Sequence, residues 1–163
     1  MPAGSTNTPS SIPDITLPPF YTLLNTIPDS ETYVRLRYAS GLTPHSLTAA
    51  TIGLPKSIHA VQIQHDPSQT IVGMGRIVGD GALFFLVVDI AVDPAHQKKG
   101  LGKAIMSDIT KWIAREAPEG AYASLVADGE AKRLYRIFGW REVVEHGSVG
   151  MYWHKKAVKK DQE

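Results

Sequence analysis

The chain has 163 residues, 43% of them hydrophobic and 20% charged, which suits one globular domain with a sizeable core. Its 17 basic and 16 acidic residues nearly cancel, so no global field draws it to nucleic acid or to an anionic membrane, and any anion site must be local. There is no cysteine, which excludes disulfides, a thiolate zinc site and a cysteine nucleophile.

Residues 1–16 hold too few apolar groups to offset the entropy of ordering and read as a mobile tail. The stretch from Met1 to Pro19 has no basic start and no apolar run, so it does not read as a secretory signal. No run in the chain approaches transmembrane length. A cytoplasmic protein is the expectation. Phe20 to Leu24 reads as a short strand. Pro28-Asp29-Ser30 opens a helix to about Ser40, with Gly41 as its stop. Thr43-Pro44 opens a second helix, with Thr as cap and Pro at the first helical position, ending near Gly53.

Three strands follow, Ile58–Gln64, Thr70–Val78 and Ala82–Val92, the last two joined by a tight turn at Gly79-Asp80-Gly81. The unbroken apolar stretch from Ala82 to Val88 argues for a strand buried on both faces at the centre of a sheet. Leu101 to Glu116 is an amphipathic helix, with Leu101, Ile105, Ile109, Trp112 and Ile113 on one stripe. Tyr122–Ala127 is a strand, Glu130–Phe138 a helix, and Trp140–Val144 and Val149–Trp153 two closing strands. The order β-α-α-β-β-β-α-β-α-β-β describes an α/β domain over residues 17–155, a mixed sheet with helices on both faces, followed by a charged tail at 156–163.

The most informative segment lies between the third of these strands and the long helix. It reads Gln97-Lys98-Lys99-Gly100-Leu101-Gly102-Lys103. Exposed N–H groups at a helix start and the helix dipole favour an anion there, and glycines let it approach the backbone. A Rossmann fingerprint needs a third glycine where Ile105 stands. A Walker loop needs glycine at Gln97 and Ser or Thr at Ala104. Both nucleotide readings fail. What remains is Gln-x-x-Gly-x-Gly after the strand Asp89-Ile90-Ala91-Val92.

That loop resembles the acyl-CoA pyrophosphate loop of the GNAT superfamily of N-acyltransferases. A second segment, Ala131-Lys132-Arg133-Leu134-Tyr135-Arg136-Ile137-Phe138-Gly139-Trp140, is similar to the superfamily's Ala-x-x-Leu-Tyr-x-x-x-Gly-Phe helix, with Trp140 in place of the final Phe. The resemblance spans about residues 20–154. It implies a mostly antiparallel sheet that splays between the strands before and after the main helix, and direct transfer of acetyl from acetyl-CoA to an amine. It further implies that backbone groups of Ile90, Ala91 and Val92 hold the pantetheine arm and that Gln97, Lys98, Lys99, Gly100, Leu101, Gly102 and Lys103 hold the pyrophosphate. Ala131 and Tyr135 complete the cofactor side. The Val92 N–H is the expected oxyanion donor and Tyr135 the expected general acid. A homodimer through the C-terminal strands is a further expectation of the resemblance.

A primary amine of pKa about 10 is neutral in roughly one part per thousand at pH 7, so a base helps it to attack. Asp89, a carboxylate inside an apolar strand, is costly unless paired or used, which makes it a candidate base or amine anchor. Asp80 and Asp128 are alternatives that also suit a turn cap and a helix cap, and a water relay is open. Tyr33, Phe85 and Tyr152 are expected to wall the acceptor site with Asp89, which suits a small amine such as an arylalkylamine, a polyamine or an amino sugar. The alternatives are a protein or peptide acceptor and a non-catalytic acyl-CoA sensor. The six histidines show no metal-ligand spacing, and no metal is expected.

Overall fold

The computed structural model describes residues 11–152. Its strands are β1 (Tyr21–Leu24), β2 (His59–His65), β3 (Thr70–Gly79), β4 (Phe84–Val92) and β5 (Tyr122–Leu125). They form one sheet in that order. The first four are antiparallel neighbours, and β5 runs parallel to β4. Its helices are α1 (Ser30–Ala39), α2 (Leu47–Gly53), α3 (Leu101–Glu116) and α4 (Ala131–Arg136). The parallel step from β4 to β5 is made through α3, the crossover helix that such a pair requires. Among the described residues no helix is long and apolar enough to cross a membrane.

Two apolar clusters sandwich the sheet. On one face Leu101, Ile105, Met106 and Ile109 of α3 pack on Val61, Ile63, Ile77, Phe85 and Val87, joined by Tyr135 and Phe138. On the other, Tyr33 and Leu36 of α1 with Ala50 and Leu54 cover Met74 and Ala91. Gly75 lets α3 sit close to the sheet. A Cβ there would stand 2.7 Å from methyls of Ile105 and Ile90 and 2.8 Å from Ile109.

The β3–β4 ladder slips once. Met74 pairs Ala91 and Arg76 pairs Val88, so Gly75 alone faces both Asp89 and Ile90. This is a β-bulge, and Asp89 takes the left-handed conformation (φ 60°) that glycine normally supplies at such a point. Asp tolerates that region better than most residues. The bulge switches the side-chain alternation of β4. Phe85 and Val87 point to the α3 cluster before it, and Ile90 and Val92 after it.

Several expectations are corrected. The strand from 82 is not buried on both faces, since Leu83, Phe84 and Leu86 are exposed, and β3 rather than β4 is central. The second helix starts later, capped by Ser46 instead of Thr43. Ordered packing begins before residue 17: Ile12 and Ile15 touch the α3 cluster, and Ser107 Oγ donates to the Pro13 carbonyl at 2.7 Å. The last two strands are absent from the described residues; Val143–His146 is a short 3-10 turn, while Trp153 and the tail lie outside them.

Gly75→Ala is expected to destabilise the fold by about 1–3 kcal/mol, because a methyl must be forced into a filled core. Urea unfolding checks this, and an unchanged midpoint would show that α3 retreats freely.

Candidate functional site

The first side of the site is built from the end of β4 and the start of α3. The Asp93 N–H donates to the Val72 carbonyl across the ladder at 2.8 Å. By the alternation of an antiparallel pair, the N–H and C=O of Val92 therefore turn to the opposite edge. Among the described residues no strand meets them there, because the β4–β5 ladder ends at Val87 and Leu125. The gap this leaves is the expected splay. Gln97 folds back over it, its Nε2 donating to the Val92 carbonyl at 3.0 Å.

The following loop turns twice through the left-handed region, at Lys98 (φ 61°) and Gly100 (φ 82°). Gly100 caps α3 without a side-chain hydrogen bond. The first helical bond is Ala104 N–H to Gly100 C=O at 3.1 Å. The amides of Leu101, Gly102 and Lys103 thus face outward without a helical acceptor, an anion cradle of backbone donors. Nothing among the described residues demands glycine at 102. A Cβ there would meet only Leu134 of α4, at 3.5 Å. The bare Cα leaves room for a ligand, and the residues present fit a pyrophosphate. Lys98 and Lys103 are exposed beside it, while Lys99 donates to the Tyr21 hydroxyl at 3.2 Å. Leu101 offers only its amide, its side chain being buried in the core.

The second side is a cleft of about 410 Å³, and its lining includes Tyr33, Arg37, His45, Arg76, Asp89 and Tyr135. Ile90, Asp128 and Ala131 also reach it. Beneath it lies a buried polar cluster. Asp89 Oδ1 accepts from the Arg37 guanidinium and, at 3.1 Å, from the Tyr33 hydroxyl. Asp89 Oδ2 accepts from Arg76 Nε at 2.7 Å. Both guanidinium groups also lie against the Tyr33 ring, 5.8 Å and 5.5 Å from its centre. Burial, and then the Asp89 charge, push the Tyr33 hydroxyl above its ordinary value. Burial, and then the charge of Asp128, push the Tyr135 hydroxyl up in the same way, so it stays protonated through neutral pH. Among the described residues no protein group accepts the Tyr135 hydroxyl, which leaves it available to a ligand.

The structure thus gathers Tyr33, Asp89, Ile90, Ala131 and Tyr135 around one cleft, with Val92 and the 97–103 loop beside it. It does not bring in Phe85 or Tyr152. Strict alternation would put Phe85 on the face of Asp89, but the bulge intervenes, and Phe85 packs in the α3 cluster against Trp112. Tyr152 is 92% exposed and does not line the cleft. Asp80 accepts three backbone N–H bonds, from Ala82, Leu83 and Phe84, and is a turn cap. Asp89 itself accepts from three donors, two of them cationic, which ties its carboxylate to Tyr33, Arg37 and Arg76.

Arg37, Arg76 and His45 escaped sequence reasoning. One signal was available: Arg76 breaks an apolar strand as Asp89 breaks the next, and two opposite charges in adjacent buried strands call for each other. His45 stacks on Tyr33 with ring centres 6.4 Å apart.

The Acetyltransferase (GNAT) domain family matches residues 57–142. The chain is 37% identical to a solved probable acetyltransferase from meticillin-resistant Staphylococcus aureus, with a TM-score of 0.76 over 83% of this chain and 99% of that one. A GNAT-family acetyltransferase from Streptococcus pneumoniae shares the fold at 23% identity, with a TM-score of 0.67 over 84% of this chain and 99% of that one. A Glycine max protein named histone acetyltransferase TAP1 is 28% identical over 60% of this chain, which spans only 43% of that relative's length.

Asp89→Asn keeps the shape and the left-handed backbone and removes only the charge. It is expected to cost about 3–5 kcal/mol, as removal of one partner from a buried ion pair does. Asp89→Ala is expected to cost more, since alanine also resists the left-handed conformation. Urea midpoints of the two variants check the order, and equal midpoints would remove the backbone contribution.

Proposed function

Since the chain belongs to the GNAT acetyltransferase family, we propose that it is an acetyl-CoA-dependent N-acetyltransferase that moves acetyl directly onto a primary amine of a small molecule, within a ternary complex. Acetyl-CoA would supply the activated acetyl group. The amides of Leu101, Gly102 and Lys103 hold its pyrophosphate, with Lys98 and Lys103 adding charge. The backbone edge of Ile90, Ala91 and Val92 accompanies the pantetheine arm through the gap between β4 and β5. The Val92 N–H, which no strand among the described residues claims, is the oxyanion donor.

The observation that carries this reading is the position of Tyr135. It is anchored on α4, lines the cleft, and keeps a protonated hydroxyl without a protein acceptor among the described residues. In the reaction the amine nitrogen bonds to the acetyl carbon, the carbon–sulfur bond breaks, and Tyr135 gives its proton to the departing thiolate. With Asp89 committed to Arg37 and Arg76, the proton of the attacking amine leaves to water in the open cleft. A lysine of a protein is the second reading, favoured by the name of the Glycine max relative.

A thiol-release assay with acetyl-CoA, a panel of small amines and a lysine peptide separates the two acceptors. Turnover with small amines is expected; cofactor binding without turnover on any amine would sink the transferase reading. Tyr135→Phe is expected to lower kcat about tenfold or more, as loss of a general acid does, with acetyl-CoA affinity unchanged. Because the Tyr135 hydroxyl is pushed up, the alkaline fall of kcat that it causes is expected above the ordinary tyrosine value of 10.0 and to be missing from Tyr135→Phe. A fall centred below pH 10 that survives in the variant would assign it to another group.

A further inference from the structure

The floor of the cleft holds more positive charge than its partners balance. Arg37 and Arg76 bring two guanidinium groups to the single carboxylate of Asp89, with side chains 10%, 10% and 4% exposed. One positive charge is left over in a site largely withdrawn from water, where charge is costly unless it meets a counter-charge.

The donors show where that counter-charge would sit. Arg37 is tied down: Nε and Nη2 donate to the Thr43 carbonyl and Nη1 donates to Asp89. Arg76 gives Nε to Asp89 and Nη1 to Ser57 Oγ at 2.7 Å, and its Nη2 has no protein acceptor among the described residues. No buried side-chain nitrogen among those residues lacks a partner, so this one reaches open space. Two hollows meet at Arg76: the cleft, and a smaller one of about 220 Å³ floored by Ala49, Ala50 and Gly53. Tyr33 and His45 line both. The small residues of α2 leave room in front of the guanidinium.

The same cleft also holds the opposite sign. Asp128 lines it, exposed, and its charge is felt at Tyr135. A polyamine would bring a second cation to the arginines and meet repulsion. An amine that also carries an anion would match a cleft that offers both charges.

Resting on the N-acetyltransferase reading, we propose that the acceptor is a small amine bearing an anionic group, carboxylate or phosphate, seated in the hollow at Arg76 beside His45, with its amine turned toward Tyr135. Guanidinium recognises either anion by charge-assisted hydrogen bonds.

The test uses pairs of acceptors that share an amine and differ in the anion: an amino acid against its amide, and phosphoethanolamine against ethanolamine. For the wild-type protein, kcat/KM is expected to be about tenfold or more higher for the anionic member of at least one pair, the scale of a charge-assisted contact. The pair that responds tells carboxylate from phosphate. Arg76→Gln is expected to bring that ratio toward one, whatever its effect on the absolute rates, and Arg76→Lys to keep part of it. Wild-type ratios of one or less in both pairs overturn the proposal while leaving the transferase reading intact. If no amine turns over, the transferase reading fails by itself. The anion site is then judged by calorimetry with inorganic phosphate and with acetate at saturating CoA. Saturable binding that Arg76→Gln abolishes supports it, and no binding of either ion overturns it.

Discussion

Asp89 is the point on which the site depends. Its carboxylate joins α1, through Arg37 and Tyr33, to β3, through Arg76, at the one place where β4 breaks register. The bulge and the ion cluster need each other. Without the bulge, strict alternation would aim Asp89 into the apolar cluster beneath α3 with Phe85 and Val87. Without the two arginines, a carboxylate on the cleft side would lie in a largely buried position with only a hydroxyl for company. A non-glycine residue held in the left-handed region persists only where its surroundings over-determine it, and here three donors do so.

The same slip shapes the cofactor side. After the bulge, the edge of β4 that turns from β3 has parted from β5 and is free, and the loop to α3 begins where that edge ends. α3 in turn can start close to the sheet because Gly75 presents bare backbone to Ile105 and Ile109. A packing feature deep in the core thus sets the height at which the outward amides of Leu101 to Lys103 stand over the gap.

What could be read from the sequence was what local pattern encodes. The limits of α3 follow from an apolar stripe with period 3.6, and the loop before it from glycine spacing. The likeness of the Ala131–Trp140 segment to the GNAT helix pointed to Tyr135, and the structure puts that residue in the cleft. What could not be read was cross-strand. A bulge is a relation between two strands, and nothing in Val88-Asp89-Ile90 announces it, since Asp stands where glycine would have been a signal. The misplacement of Phe85 follows directly from that hidden slip. Arg37 carries no local signal, because only tertiary packing brings it to a carboxylate 52 positions away. The apolar run at Ala82–Val88 misled in another way: Phe84 and Leu86 are large and apolar yet exposed, and composition alone does not say which side of a strand is covered.

The unpaired edge of β4 makes two neighbouring amides into different clocks. The Asp93 N–H is locked in the β3 ladder, so its hydrogen exchanges for deuterium only when the sheet itself opens. The Val92 N–H, one residue earlier, turns to a gap that no strand among the described residues fills, so its exchange follows the state of that gap. A ligand lying along the edge would slow the second clock and leave the first untouched. Occupancy of the cofactor side could then be followed atom by atom, without any chemistry taking place.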